Sequence, residues 1–213
     1  MKRSIAILFL SLALVSSLSS QLKAVVKEIT GKVEIKPADG AWRPAKAGVT
    51  ITKGYSISTG FDSTAVLEIG QSVLRVRPLT RMKLEELLQK EKTVSTSLYL
   101  SVGKVKAEVK KGTDQDFTLR GPVSTAAVRG TDFEFDGFTV KVTNGVVAFI
   151  NTVGQSRGVA EGEDSSTDGM QLPTTGDQEK DWRSQINPYT SPTDTSPFGE
   201  PTAQMAHVTI RWQ

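Results

Sequence analysis

The stretch Val123–Phe135, VSTAAVRGTDFEF, carries the clearest structural pattern in the chain. Phe133 and Phe135 alternate with acidic residues, which is the period-two pattern of a strand with one buried face. Gly130 precedes this strand, and a residue without a Cβ lets the backbone turn there or pass close to another strand. The stretch therefore predicts a turn at Gly130 and a strand whose two Phe rings enter the core.

The same rhythm extends outward from Ala24 to Ile150. Short segments rich in Val, Ile, Thr and Phe alternate with polar residues and end at glycines, which predicts strands separated by turns. We expect an all-β domain of short, mainly antiparallel strands, arranged as a sandwich or like a solenoid. Leu98–Val102 and Val105–Val109 have opposite parity, so a β-bulge or bend at Gly103 is expected to keep both sets on the core.

The segment Arg81–Glu91 allows two interpretations. Leu84, Leu87 and Leu88 have the i, i+3, i+4 spacing of a short amphipathic helix. Met82 and Leu84 also fit one face of a strand. Helix and strand are equally favoured here.

Residues 1–20 have the pattern of a secretory signal peptide. Lys2 and Arg3 precede the apolar run Ile5–Val15, and the small residues of Ser16–Ser20 follow as a cleavage region. The apolar run is shorter than the roughly 20 residues of a membrane-spanning helix. We therefore expect an exported protein that begins near Gln21 and has no transmembrane span. Without the leader the basic and acidic side chains nearly balance, so a nucleic-acid partner is not favoured.

The composition argues against catalysis and against a metal or other cofactor. The chain contains no cysteine and one histidine, His207, which excludes cysteine nucleophiles and metal sites built from His and Cys. Asp164–Gly169 resembles the start of a calcium loop, but the twelfth position is Thr175 rather than a bidentate Glu. We predict no enzymatic activity, no cofactor and no metal.

The composition changes near the C-terminus. We place the domain at residues 21–163, a Pro/Ser/Thr-rich irregular segment at 164–205 and a last strand at 206–213. Val208, Ile210 and Trp212 alternate with polar residues in that strand. It is expected to return to the sheet and close it, because a free apolar face at a chain end would be exposed to water.

The segment Val123–Phe135 resembles the signature of FecR-like domains, in which an apolar, small-residue run leads into Arg-Gly-Thr, an acidic residue and Phe. Five further regions resemble the family in the same order: Gly31–Ile35 with Trp42, Gly54–Gly60 with Ser63 and Ala65, Ser72–Arg75 with Pro78–Thr80, Leu98–Val105, and Val140–Val147. The resemblance spans Val25 to Glu163.

This resemblance implies an all-β extracytoplasmic domain, best known from transmembrane regulators that pass an outer-membrane signal to a cytoplasmic sigma factor. Here the leader runs directly into the domain, so direct control of a sigma factor is not expected. We expect a non-catalytic binding or scaffold protein of the periplasm or cell surface, with a contribution to envelope sensing or signalling. Its partner would be an envelope protein or a polysaccharide, and its oligomeric state stays open. A structural or carbohydrate-active envelope protein is the alternative.

The signature residues Arg129, Gly130, Thr131, Asp132 and Phe133 are expected to act mainly in the fold. Arg129 would pair with Asp132 or Glu134, and direct contact with a ligand is the alternative.

Two further groups are candidate binding residues. Lys104, Lys106 and Lys110 are interpreted as a charged strand that protects an exposed sheet edge, or as a contact for an acidic polymer or lipid headgroup. Trp42 would pack on the first hairpin or, with Trp182, form a platform for sugar stacking.

Overall fold

The computed structural model describes residues 20–90, 93–112 and 115–176. The predicted leader, except for its last residue, and the predicted closing strand 206–213 lie outside these residues. Within them, no helix is long and apolar enough to cross a membrane.

The described residues form two β-sheets, called sheet A and sheet B. Sheet A has ten strands: β1 (Ser20–Gln21), β3 (Val33–Lys36), β4 (Arg43–Pro44), β6 (Ser56–Thr59), β9 (Arg81–Lys90), β10 (Thr93–Val102), β12 (Gln115–Arg120), β13 (Ser124–Val128), β16 (Val146–Asn151) and β17 (Ser156–Ala160). Sheet B has eight: β2 (Ala24–Thr30), β5 (Thr50–Ile51), β7 (Thr64–Ile69), β8 (Ser72–Val76), β11 (Val105–Glu108), β14 (Asp132–Phe135), β15 (Thr139–Asn144) and β18 (Asp164–Ser166).

The strand order shows how the chain moves between the sheets. Sheet A runs β17-β16-β13-β12-β10-β9-β6-β3-β4, with β1 beside β9, and sheet B runs β18-β15-β14-β11-β8-β7-β2-β5. Neighbours are antiparallel except for β10 and β12, which are parallel. The all-β fold of mainly antiparallel strands is therefore confirmed.

The two sheets pack face to face as a sandwich around one core. Phe117 of sheet A meets Phe133 of sheet B edge-on, with ring centroids 6.4 Å apart. Phe135 of sheet B meets Phe149 of sheet A with the same separation. Phe133 and Phe135 are 0% and 1% exposed, which confirms their predicted place in the core. Edge-to-face pairs of this kind stabilise by about 0.5–1.5 kcal/mol beyond their buried area.

Residues 81–90 are strand β9, so the helical alternative is wrong. The pairing with β10 explains the helix-like spacing. Ser97 lies opposite Glu86 and Leu98 lies opposite Leu84, which leaves Glu85 as an extra residue in a β-bulge. The bulge resets the alternation, so Leu84 and Leu87 are both buried although they are three residues apart.

Gly103 is a corner between the sheets rather than a bulge within one strand. β10 before it belongs to sheet A and β11 after it belongs to sheet B. Its φ is +98°, and a Cβ built there would lie 2.5 Å from the Cα of Thr80. Leu98 and Val105 face the core as expected, but Val102 at the corner is 57% exposed, contrary to the prediction.

Buried threonine hydroxyl groups hydrogen-bond the backbone where the chain crosses from one sheet to the other. Thr59 Oγ1 accepts from the Thr80 amide at 3.0 Å and donates to the Arg77 carbonyl at 2.6 Å. Thr80 Oγ1 accepts from the Lys104 amide at 3.0 Å. Three consecutive sheet crossings are thus joined by two threonine side chains.

The sheet continues past Glu163, the predicted end of the domain. Asp164–Ser166 forms β18 on β15, with Lys141 opposite Asp164. The Thr174 amide then donates to the Ser166 carbonyl at 3.0 Å. Residues up to 176 therefore pack against the sandwich.

We predict that Gly130→Val destabilises the protein strongly. Gly130 has φ +63°, and a Cβ there would lie 2.7 Å from the Cα of Lys111, so a branched side chain meets backbone that cannot move aside. The control is Gly48→Val, because Gly48 has φ +82° and open space around its Cα. The control should cost about 1–3 kcal/mol from backbone strain. Gly130→Val should cost more than about 4 kcal/mol or leave the protein insoluble. Equal melting temperatures for the two variants would contradict the predicted close contact.

Candidate functional site

The registers around β11 define two ends of the sandwich. Glu108, where β11 finishes, lies opposite Val73 and Asp132, and we call this the signature end. Val105, where β11 begins, lies opposite Val76 and Phe135 at the other end.

A groove of about 450 Å³ lies at the signature end. It is open to solvent and is lined by the strand ends and corners of sheet B: Gln71, Val73, Glu108, Val109, Lys110, Lys111, Gly130, Asp132 and Asn144. Three predicted site residues, Lys110, Gly130 and Asp132, therefore meet in one place. We call it the signature groove.

Thr131 anchors the wall of this groove. The side chain is buried, and its Oγ1 donates to the Val146 carbonyl at 3.0 Å. Its own carbonyl accepts from the Val109 amide at 3.0 Å. Phe133 follows in the core. These two signature residues position the groove from behind without lining it.

Arg129 pairs with Asp116, so both partners predicted for it are wrong. Arg129 Nη2 lies 2.6 Å and Nε 3.0 Å from Asp116 Oδ1. The reason is topological: Phe117 lies opposite Val128 in adjacent strands of sheet A, whereas Asp132 and Glu134 follow the corner into sheet B. Both side chains of the pair are more than half exposed. Such a pair contributes about 0–1 kcal/mol.

The signature groove carries charges of both signs, and three of them have no ion-pair partner within the described residues. Lys110, Lys111 and Asp132 make no ion pair among the described residues. Glu108, by contrast, lies 3.5 Å from Arg75 Nε and 3.9 Å from Lys106 Nζ. As far as residues 20–90, 93–112 and 115–176 show, the groove presents two ammonium groups and one carboxylate that are not engaged in ion pairs.

The other predicted binding residues lie elsewhere. Lys104 and Lys106 do not protect a sheet edge, because β11 lies between β8 and β14 inside sheet B. Lys104 Nζ lies 3.7 Å from Asp136 Oδ2, so Lys104 belongs to a network of paired charges on the outer face of sheet B.

Trp42 is 37% exposed, and the guanidinium of Arg81 lies 5.4 Å from the centre of its ring. This contact occupies one ring face with a cation. Trp182, the second residue of the suggested sugar platform, lies outside the described residues.

Glu134 is a carboxylate of that network whose pKa is shifted. Arg77 Nη2 donates to its Oε1 at 2.8 Å. This hydrogen bond, opposed by partial burial and reinforced by the charges of Arg77, Lys104 and Lys106, lowers the pKa of Glu134 from its ordinary value. The ion-pair network thus holds neighbouring strands of sheet B together from the outside.

Gln71 and Asn144 line the groove without having been predicted. Gln71 is in the turn between β7 and β8, and Asn144 ends β15. Both are polar residues beside a turn glycine, Gly70 or Gly145, a pattern that is common in loops and marks no site by itself.

The lining of the signature groove is mainly polar and charged. Within residues 20–90, 93–112 and 115–176, no group of three His, Cys, Asp or Glu residues is arranged to hold a metal ion. Its polar lining suits hydrogen bonds and ion pairs with a ligand that carries both donors and acceptors.

The described residues thus form an all-β sandwich with a polar groove at the signature end. Residues 55–148 match the model of the family described as FecR protein. The match includes the signature and all nine residues that line the groove, and it confirms the resemblance to FecR-like domains.

Comparison with solved structures gives a weaker likeness. Two crystal structures of a candidate anti-sigma factor from Parabacteroides distasonis ATCC 8503, at 1.65 and 2.50 Å resolution, are 15% identical with a TM-score of 0.47. The similarity covers 60% of this chain, 64% of the chain solved at 1.65 Å and 63% of the chain solved at 2.50 Å, which is less than two thirds of their length. No curated protein matches the sequence. At this level of likeness no function is transferred.

We predict that the stability contributed by Glu134 depends on pH. Because its folded-state pKa is lowered, the contribution is present above the ordinary value of 4.5 and is lost as the pH falls through the folded pKa. Glu134→Gln should therefore unfold at lower denaturant than wild type at pH 7, and the gap should narrow progressively as the pH falls below the ordinary value of 4.5. The control is Glu28→Gln, since Glu28 is exposed and makes no ion pair among the described residues. A gap for Glu134→Gln that stays constant from pH 7 to pH 3 would contradict the role of Arg77.

Proposed function

We propose that the chain is a non-catalytic binding module, exported to the cell envelope, which holds a segment of an envelope protein in the signature groove. The match to the FecR family supports a sensing or signalling role. The leader pattern of residues 1–20 supports export.

The observation that carries this proposal is the mixed, unpaired charge of the signature groove. Lys110 and Lys111 favour acidic groups, while Asp132 favours a basic group or an amide donor. A protein segment supplies both kinds of group. A uniformly acidic polymer would meet the repulsion of Asp132 together with that of Glu108.

The signature groove is also held in place before any partner arrives. Thr131, the Gly130 corner and the β11–β14 register fix its wall by backbone hydrogen bonds. A preformed site loses less conformational entropy on binding than one that must be ordered.

A carbohydrate-active role is the second candidate, and one observation favours it. Glu108 and Asp132 are opposite each other in the register of β11 and β14 and both line the groove. Paired carboxylates are the usual groups of glycoside hydrolysis. However, Glu108 is engaged by Arg75 and Lys106, which favours its structural use.

The test is capture of a partner by the full chain from an envelope extract, with a glycan array run in parallel. We expect a protein partner that the wild type retains and that Lys110→Glu/Lys111→Glu loses by at least about ten-fold, since two attractive charges become repulsive. The control is Lys46→Glu/Lys53→Glu, which makes the same charge change at two exposed residues beside β5. β5 is the last strand of sheet B and lies three strands away from β8, which borders the groove.

Equal retention of the partner by both double variants would show that the groove is not the binding site. Binding to glycans that depends on Glu108 and Asp132, with no protein partner, would favour the second candidate instead.

A further inference from the structure

The end of the sandwich opposite the signature end carries an unusual share of exposed apolar side chains. Of the nine large apolar residues exposed in the described part of the chain, six lie there: Phe61 (81%), Leu79 (50%), Val102 (57%), Phe138 (51%), Val153 (55%) and Met170 (71%). Val146 is the one such residue placed by register at the signature end. We call these six residues the apolar tips.

Hydrogen bonds place the first three tips side by side. The Leu79 amide donates to the carbonyl of Gly60, the residue before Phe61, at 3.1 Å. Val102 lies opposite Arg81 in the β9–β10 register, two residues after Leu79. These tips therefore sit on adjoining corners where the chain passes between the sheets.

The other three tips continue the same row. The Thr167 amide donates to the Phe138 carbonyl at 3.0 Å. The Thr152 amide, next to Val153, donates to the carbonyl of Gly169, next to Met170, at 3.2 Å. From β7 to β18 the row crosses six strands of sheet B, which corresponds to about 24 Å at the usual strand spacing.

The arrangement of the apolar tips favours contact with a broad, flat surface over binding of a narrow ligand. Each comes from a separate turn or strand end and is at least half exposed, so they do not form the walls of a cleft. Exposed apolar groups gathered in one region mark an interaction surface.

The backbone at the tips is already hydrogen-bonded, so little is lost if water is removed. The Phe138 amide donates to Asp136 Oδ1 at 3.1 Å, and the Met170 amide donates to Asp168 Oδ1 at 2.9 Å. The Phe61 carbonyl accepts from Ser63 Oγ at 2.7 Å. Satisfied backbone groups are a requirement for entering the edge of a lipid layer, where unpaired polar groups are costly.

Some of the charges beside the tips are paired. Lys32 lies 3.6 Å from Glu34, and Lys104 lies 3.7 Å from Asp136. Arg77 and Glu134 form the third pair, at 2.8 Å. Asp62 and Asp168, beside Phe61 and Met170, are exposed carboxylates that make no ion pair among the described residues. A rim of paired charges with two added carboxylates fits a zwitterionic headgroup region better than an anionic surface, which would repel it.

Backbone strain is found at the same end. Asp62 and Leu79, with φ of +47° and +54°, are the non-glycine residues with positive φ among those described. Asp62 follows the tip residue Phe61, and Leu79 is itself a tip. Holding such residues costs about 1–3 kcal/mol each, and strain of this kind is common at functional surfaces.

We propose that the apolar tips contact the surface of a lipid bilayer, with their side chains at the boundary between headgroups and acyl chains. The signature groove lies at the opposite end of the strands and would then face away from the membrane, accessible to a partner. This inference uses a different surface from the signature groove and does not depend on what the groove binds.

The absence of cysteine allows a position-specific test in the full chain. Val153→Cys and Val146→Cys replace two exposed valines, which are 55% and 57% exposed. Val146 begins strand β16, and Val153 lies in the turn that follows the other end of this strand. Each is labelled with an environment-sensitive nitrobenzoxadiazole dye and mixed with phosphatidylcholine vesicles. Comparing two positions in one chain separates contact by this end from membrane binding by the apolar leader.

We expect the emission at position 153 to shift to the blue and to rise at least about two-fold, with little change at position 146. Adding Phe61→Ser and Phe138→Ser to Val153→Cys should reduce the vesicle-bound fraction of the signal about ten-fold, because two large apolar groups are lost. These residues are exposed, so the fold should persist, which circular dichroism verifies. No response at position 153, an equal response at both positions, or an undiminished response after the serine substitutions would overturn the proposal.

Discussion

Thr80 occupies the point at which the chain leaves sheet B for sheet A, and its hydroxyl also fixes the next crossing, at Gly103. The backbone at a sheet crossing leaves the regular ladder, so its amides need other partners. Thr59 and Thr80 supply them with buried hydroxyls, and no buried side-chain nitrogen or oxygen is left unpaired among the described residues. Leaving one buried amide without a partner costs about 1–3 kcal/mol. The stacking of the two sheets, and everything placed at their ends, depends on these crossings.

The crossings also separate two kinds of surface. Because β11 runs from the Gly103 corner to Lys110 and Lys111, its two ends carry opposite chemical character. At one end, the Gly130 corner and Thr131 hold a charged, polar groove open. At the other, tight turns expose Phe61, Leu79 and their neighbours. The paired charges of Arg77 and Glu134 lie on the outer face of sheet B, where they stabilise the sheet.

Local alternation in the sequence is sufficient to predict the strands and the core position of Phe133 and Phe135. It fails where one residue interrupts the alternation, as Glu85 does in β9, because a bulge places Leu84 and Leu87 at helical spacing. It also fails for contacts between distant strands. Lys104 and Lys106 would alternate in the same way in an edge strand and in a central strand. The strand is shown to be central by its neighbours on both sides, since Lys106 lies opposite Arg75 on one side and Glu134 on the other. Arg129 finds Asp116 for the same reason, since strand order and not sequence distance determines its partner.

Amide hydrogen exchange at the corners tests the central role of the buried hydroxyls most directly. In the wild type, the amides of Thr80 and Lys104 should exchange as slowly as those of the central strands, because each donates to a buried or partly buried threonine oxygen. Thr80→Val keeps the shape of the side chain but removes the acceptor. It should speed exchange at Lys104 and lower stability by about 1–3 kcal/mol. Exchange at Lys104 as fast as in an exposed turn, in wild type and variant alike, would show that the crossings are held by other forces.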